Sequence, residues 1–217
     1  MRLPRRGRIR IFWWYKLKDK IFLRETSYID YSSPLIAEKT AALFDGLSDP
    51  VAKVQAAYKY VRDEIPHTFD IGADVVSASA SDVLRLNTGT CHSKSNLLAA
   101  LLRSQKIPAG FRYQRLTLAD DDSKGYCLHC LNAVFINELW IMLDARGNTN
   151  GKNAQFSLGE PILAFANRPQ YDEYFYDGIY ADPDEPTMKL LTTAKTLGEV
   201  LSGLPDKPFQ EPDILEF

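Results

Sequence analysis

The sequence predicts an α+β fold in which helices come first and antiparallel strands follow. Between residues 51 and 102 apolar residues recur at helical steps of three and four, and after Pro108 the pattern changes to that of strands. With 217 residues and 24.6 kDa, the chain can bury a sizeable core as one domain. We expect a basic, aromatic N-terminal segment over residues 1–31, a main domain over 32–182, and short C-terminal helices with a tail over 183–217.

Capping residues followed by proline predict where the first two helices begin. A Ser-Pro step opens a helix over Pro34–Phe44, and an Asp-Pro step opens a second one over Pro50–Glu64. Short helices are also predicted over Ser81–Leu86, Asp184–Thr193 and Thr196–Ser202. We expect the first two helices to serve as packing elements.

A central helix is predicted to begin at Cys91, after a loop that closes with Gly89, and to end before Pro108. Free cysteines are more often inert core residues. Cys91, however, precedes the apolar stripe of this helix, and unpaired N–H groups and the helix dipole at an N-terminus favour a thiolate. Cys91 is therefore the candidate nucleophile. The stripe behind it is formed by four leucines, Leu97, Leu98, Leu101 and Leu102.

Three strands are predicted after this helix, over residues 111–116, Tyr126–Ile136 and Leu139–Asp144. If the turn lies between residues 137 and 138, facing residue numbers add up to 275, and His129 is diagonal to Asp144 on one face. We expect the Asp144 carboxylate to accept the Nδ1–H of His129, which leaves Nε2 for the Cys91 thiol. The aromatic segment 165–180 is expected to be a long ordered loop that walls a cleft.

The other two histidines are weaker candidates for the base. The side chain of His92 points about 100° away from that of its neighbour Cys91 on a helix. His67 follows a helix and could reach the site, although a histidine in such a place is more often a loop contact.

No metal site is predicted. Cys127 and His129 share one strand face while Cys130 points to the other, so the three cannot close on one ion. We expect Cys127 and Cys130 to be packing residues. The acids at 120–122 lack the Asp-x-Asp-x-Asp-Gly pattern and distal glutamate of a calcium loop, and a solvated turn is expected there.

Charge and cysteine content bear on location and partners. Residues 1–24 carry nine Lys or Arg against one acid, interleaved with aromatic residues, and the segment is not a signal peptide. We expect it to fray or to dock on the acidic body, with a weak contact to an anionic surface as the alternative and no specific nucleic acid. Three cysteines and no membrane-length apolar run predict a cytoplasmic protein without a transmembrane segment.

The helix that begins at Cys91 and the strands that follow it resemble the transglutaminase-like superfamily, over roughly residues 50–150. The resemblance rests on Gly89-Thr-Cys91 and its Leu- and Ala-rich helix, on residues 106–113, on His129 and on the strand that ends at Asp144. The spacings, 38 residues from Cys91 to His129 and 15 more to Asp144, agree as well. It implies a papain-like core, with the nucleophile-bearing helix packed on an antiparallel sheet, and a Cys91-His129-Asp144 triad. His92, Ser93 and Cys130 depart from the residues often found at their positions, which leaves the substrate class open.

The implied chemistry is thiol-dependent acyl transfer on a peptide or protein amide, with no cofactor. A thioester on Cys91 is resolved by water in a protease or amidase, and by an amine in a cross-linking transglutaminase. Small calcium-free members of this kind are more often assigned as cysteine proteases, which favours hydrolysis. A non-catalytic binding or scaffold module is the rival from another class, although it would not need all three triad residues. An acyltransferase with an acyl-coenzyme donor would need a phosphate-cradling glycine loop that is not apparent.

Overall fold

A computed structural model of the chain describes residues 20–118 and 125–215. Most of the basic N-terminal segment and the predicted turn at residues 120–122 lie outside these ranges, so those two predictions are not addressed by the structure. The predicted division at residues 31 and 182 also stays a prediction. Within the described residues, no helix is long and apolar enough to cross a membrane.

The helices begin close to where the capping residues predict them. The Asp49 carboxylate accepts a hydrogen bond from the Ala52 N–H at 2.9 Å, and Ser79 and Asp82 cap each other's N–H groups reciprocally. The second helix widens into a π-helical turn over Tyr60–Glu64 before Pro66 ends it. The helices are α1 Pro34–Leu43, α2 Pro50–Lys59, α3 Thr68–Ile71, α4 Ala80–Leu86, α5 Cys91–Ser104, α6 Glu185–Thr193 and α7 Leu197–Gly203.

Four antiparallel strands form one sheet in the order β3-β2-β1-β4. They are β1 Ala109–Thr117, β2 Tyr126–Ile136, β3 Leu139–Leu143 and β4 Tyr174–Phe175. Ile136 pairs with Leu139 and Asn132 with Leu143, so the predicted hairpin register is confirmed. The two turn residues, Asn137 and Glu138, both have positive φ, as a two-residue hairpin turn of type I′ requires.

The segment 165–180 differs from the expected long loop because it contributes β4, which pairs with Gln114 and Arg115 of β1. A buried carboxylate holds the segment in place. Glu173 accepts hydrogen bonds from the backbone N–H and the hydroxyl of Thr117, and it pairs with Arg168 at 2.6 Å.

Helix α5 runs through the middle of the core, between the sheet and helices α1, α2 and α4. It is buried on all sides from His92 to Arg103 rather than along one stripe. The buried Arg103 guanidinium donates hydrogen bonds to the carbonyls of Ala109 and Ala181, and its stem remains in the core. Because both flanks of α5 are packed, its N-terminus is held at a fixed place beside β2.

Candidate active site

Cys91 is the first residue of α5, and the loop before it is tied to the loop after α2. The Thr68 N–H donates to the Gly89 carbonyl at 3.1 Å, and the Gly89 N–H donates to the Pro66 carbonyl at 3.3 Å. A Cβ at Gly89 would lie 2.7 Å from the Ser93 hydroxyl, so only glycine allows this close approach. The thiol of Cys91 is therefore held at a defined point, where it is only partly exposed.

His129 and Asp144 meet as the hairpin register predicts. His129 Nε2–H donates to Asp144 Oδ2 at 3.0 Å, and Asp144 lies one residue beyond the end of β3. The carboxylate is fully buried and also accepts the backbone N–H groups of Arg146 and Ala164, each at 3.1 Å. With three donors the carboxylate is fixed in orientation, and so is the imidazole bonded to it.

One detail of this prediction is wrong, namely which ring nitrogen faces which partner. Nε2 of His129, not Nδ1, bonds to Asp144, and Cys91 is the other group that acts on the pKa of the ring. Nδ1 is therefore the nitrogen left for the thiol. The ring orientation is set by packing, because Phe165 lies edge-on to His129 at 5.1 Å between ring centroids.

The three side chains interact electrostatically: Asp144 acts on His129, and His129 acts on Cys91. Burial disfavours the imidazolium of His129, yet the charge and hydrogen bond of Asp144, together with Cys91, raise its pKa to about 10. Burial would also raise the pKa of the Cys91 thiol, but the hydrogen bond and charge of His129 outweigh it and the pKa is lowered. The site therefore shifts Cys91 towards the thiolate form beside an imidazolium.

His92 is excluded as the base, as predicted. Its Nε2 lies 2.9 Å from the carbonyl of Leu128, and its ring packs against Tyr113 at 6.2 Å. Burial lowers the pKa of His92 to about 4, so the ring is neutral. It serves as a packing residue between α5 and the sheet.

Lys94, one turn after Cys91, is a buried residue next to the site that sequence reasoning missed. Its ammonium is buried and donates to the carbonyls of Ile65 at 2.5 Å and Arg146 at 2.8 Å. It therefore ties α5 to the loop that carries His67 and to the loop after Asp144. Burial lowers the pKa of Lys94 to about 7. From sequence alone, a lysine on a helix is expected to be exposed to solvent, and no local pattern marks Lys94 as buried.

A cleft of about 370 Å³ opens on Cys91 and His129. His67 lies in its wall, and so does an ion pair in which Arg146 donates hydrogen bonds to both carboxylate oxygens of Asp70, at 2.6 and 2.8 Å. The remainder of the wall is largely apolar and includes two leucines from the C-terminal region. These apolar residues are Phe69, Leu116, Leu118, Leu128, Phe165, Leu201 and Leu204.

The other two cysteines separate as their strand positions require. Cys130 packs in the main core, as expected, whereas Cys127 lines the cleft rather than the core. Within residues 20–118 and 125–215, no three His, Cys, Asp or Glu side chains are grouped so as to hold a metal ion.

Comparisons with known proteins agree with this architecture. The family model of the Transglutaminase-like superfamily matches residues 38–145, a range that contains Cys91, His129 and Asp144. The α+β fold with a papain-like or transglutaminase-like core is thus confirmed. A search of the curated proteins finds no match.

Solved structures similar to the chain include the following two. One, described as a "Putative Cysteine Protease" from Cytophaga hutchinsonii, is 21% identical over 58% of this chain, with a TM-score of 0.48. The other, described as a TGase, is 16% identical over 67% of this chain, with a TM-score of 0.37. Both proteins are longer, and the match spans 40% and 35% of their respective lengths.

Proposed function

We propose that this chain, which belongs to the transglutaminase-like superfamily through its residues 38–145, is a cysteine hydrolase that cleaves peptide or protein amides. Cys91 is the proposed nucleophile, His129 the general acid and base, and Asp144 the group that orients His129. The reaction needs no cofactor.

The observation that carries the proposal is the grouping of the three side chains: His129 bonds to the buried Asp144 carboxylate at 3.0 Å, and Cys91 lies close enough to His129 for each to shift the pKa of the other. A nucleophile, a base and an orienting group in contact are the signature of covalent acyl transfer. The charge arrangement supports the same proposal, because a thiolate is the reactive form of cysteine and the imidazolium is the acid needed by the leaving group.

The proposed reaction has two halves. The Cys91 sulfur adds to the amide carbonyl carbon, and the carbonyl electrons move to oxygen. When that oxyanion collapses, the C–N bond breaks, His129 protonates the departing amine, and a thioester remains on Cys91. In the second half His129 takes a proton from water, hydroxide adds to the thioester carbon, and the acid product leaves while the Cys91 thiolate is restored.

The acceptor that resolves the thioester decides between hydrolysis and transamidation. Water needs no binding site of its own and reaches Cys91 through the cleft, which supports hydrolysis. Transfer to an amine requires that the amine enter while water is excluded. Three unbridged cysteines support the further proposal of a reducing, cytoplasmic location.

Casein, alone and together with a biotinylated primary amine, separates the alternatives. Hydrolysis predicts new casein fragments or amide-to-acid mass increases in the absence of amine, and Cys91→Ala abolishes them. Biotin incorporated into casein without fragments would instead identify a transamidase. If neither product forms and Cys91 reacts with iodoacetamide no faster than Cys127, the chain is a non-catalytic binding module.

A further inference from the structure

His67 is fixed beside the nucleophile by the backbone rather than by its own side chain. Its peptide neighbours bracket Gly89 with two hydrogen bonds, and the two residues form a parallel bridge two positions before Cys91. On its other side Lys94 bonds to the Ile65 carbonyl and holds the start of the same loop. The backbone at His67 is thus held in place relative to the loop that precedes Cys91.

The side chain of His67 is 7% exposed and lines the cleft that contains Cys91 and His129. Its ring stacks on Phe69 with 5.8 Å between centroids, which fixes the ring plane. Nδ1 is buried without a hydrogen-bond partner among the described residues. Because Nδ1 is enclosed, Nε2 is the ring nitrogen that a ligand in the cleft can reach.

The charges around His67 keep it neutral. Burial lowers its pKa well below the ordinary value, and the nearby cations Arg146 and Lys94 and the imidazole of His129 act in the same direction, while Asp70 opposes them. Asp70 is itself engaged by Arg146. A neutral imidazole carries one proton, and a buried N–H without an acceptor is costly, so the proton belongs on Nε2, the nitrogen that is not enclosed.

We propose that His67 donates its Nε2–H to the oxyanion formed during acyl transfer at Cys91, together with the backbone N–H of Cys91. This inference rests on the proposed function. There the N-terminus of α5 supplies one hydrogen-bond donor to the oxyanion, and a second donor is still to be assigned. A donor that stays neutral serves throughout the reaction, since it neither supplies nor takes a proton. His129 already supplies the acid and the base, so His67 has no role in proton transfer.

Two probes of Cys91 distinguish this role from a structural one. p-Nitrophenyl acetate acylates a thiolate through a tetrahedral oxyanion, whereas iodoacetamide alkylates it by displacement at carbon without one. In His67→Phe, which keeps a ring to stack on Phe69 but has no donor, we expect acylation to slow by about 10²- to 10³-fold while alkylation changes by less than about threefold. His67→Gln, which restores an N–H near the place of Nε2, should recover acylation to within about tenfold of wild type.

The proposal is overturned if His67→Phe slows both reactions equally, because His67 would then act on the thiol or on the fold. It is also overturned if neither reaction slows. Should the phenylalanine variant fail to fold by circular dichroism, His67→Ala replaces it as the variant without a donor. If wild-type Cys91 itself reacts with neither probe faster than Cys127, the proposed function fails first, and that result is distinct from the others.

Discussion

Replacing Asp144 by Asn tests whether the buried carboxylate creates the reactive thiolate. Asparagine keeps the shape of the side chain and can still bond to His129, but it carries no charge. Asp144 is the leading cause that raises the pKa of His129 against the effect of burial. Without the charge we expect the pKa of His129 to fall to its ordinary value or below it.

The magnitude follows from the two pKa values of His129. The difference between an ordinary 6.5 and about 10 corresponds to about 5 kcal/mol in favour of the protonated ring. Once His129 is neutral at pH 7, Cys91 loses the positive charge that lowers its own pKa. The thiolate fraction should then drop, and alkylation of Cys91 by iodoacetamide at pH 7 should slow by about 10- to 100-fold.

The assay is the alkylation rate across pH, followed by mass spectrometry of the Cys91 peptide. The wild type should show a plateau that begins below the ordinary thiol pKa, whereas Asp144→Asn should rise only at alkaline pH. Asp184→Asn is the matched control, since Asp184 is an equally buried carboxylate that caps α6 outside the cleft. A folded Asp144→Asn variant with the wild-type profile would refute the reasoning.

Three further outcomes follow from packing and charge. Lys94→Met should lose stability to urea more steeply than the wild type as pH rises from about 7 to 10. In this range folding releases a proton from Lys94, which favours the folded state as pH rises, whereas folding binds a proton to His129, which disfavours it. The variant keeps only the second effect. Gly110→Ala should destabilise the fold by about 1–3 kcal/mol in urea titrations, because its Cβ would lie 2.8 Å from a facing backbone carbonyl. The control is Gly198→Ala in α7, where the nearest neighbour of the added Cβ would be 3.8 Å away, and this variant should be neutral or stabilising. Cys130→Ala should leave the number and rate of fast-alkylated thiols unchanged, since burial raises the pKa of Cys130 well above the ordinary value; a lost fast adduct would contradict this.

The hairpin could be predicted because its determinants are local. Alternation fixes which residues share a face, and a two-residue turn fixes the register, so the positions of His129 and Asp144 follow from the sequence. The ring nitrogen could not be predicted in the same way. It depends on where α5 and Phe165 stand relative to β2, and both are long-range contacts.

The buried polar residues of α5 show the same limit. Lys94 and Arg103 look like solvent-facing residues in the sequence, yet each bonds to carbonyls of segments far away in the chain. The second face of the helix is covered only once the sheet and the N-terminal helices have packed. Strand β4 escapes prediction for a related reason, since two residues carry no usable alternation and Glu173 holds them through long-range bonds.

The role inferred for His67 from the structure differs most from the role expected from the sequence. A histidine after Pro66 at the end of a helix reads as a loop contact. The structure places it in the cleft wall because the loop before Cys91 pairs with its backbone. Such a pairing between two loops has no signature in either segment.

The most direct test of the account is the ultraviolet absorbance of the Cys91 thiolate, measured as the wild type minus Cys91→Ala across pH. A thiolate–imidazolium pair predicts that this absorbance appears at a pH below the ordinary thiol pKa and stays constant until His129 loses its proton near pH 10. A single step at or above the ordinary thiol pKa would contradict the thiolate–imidazolium pair.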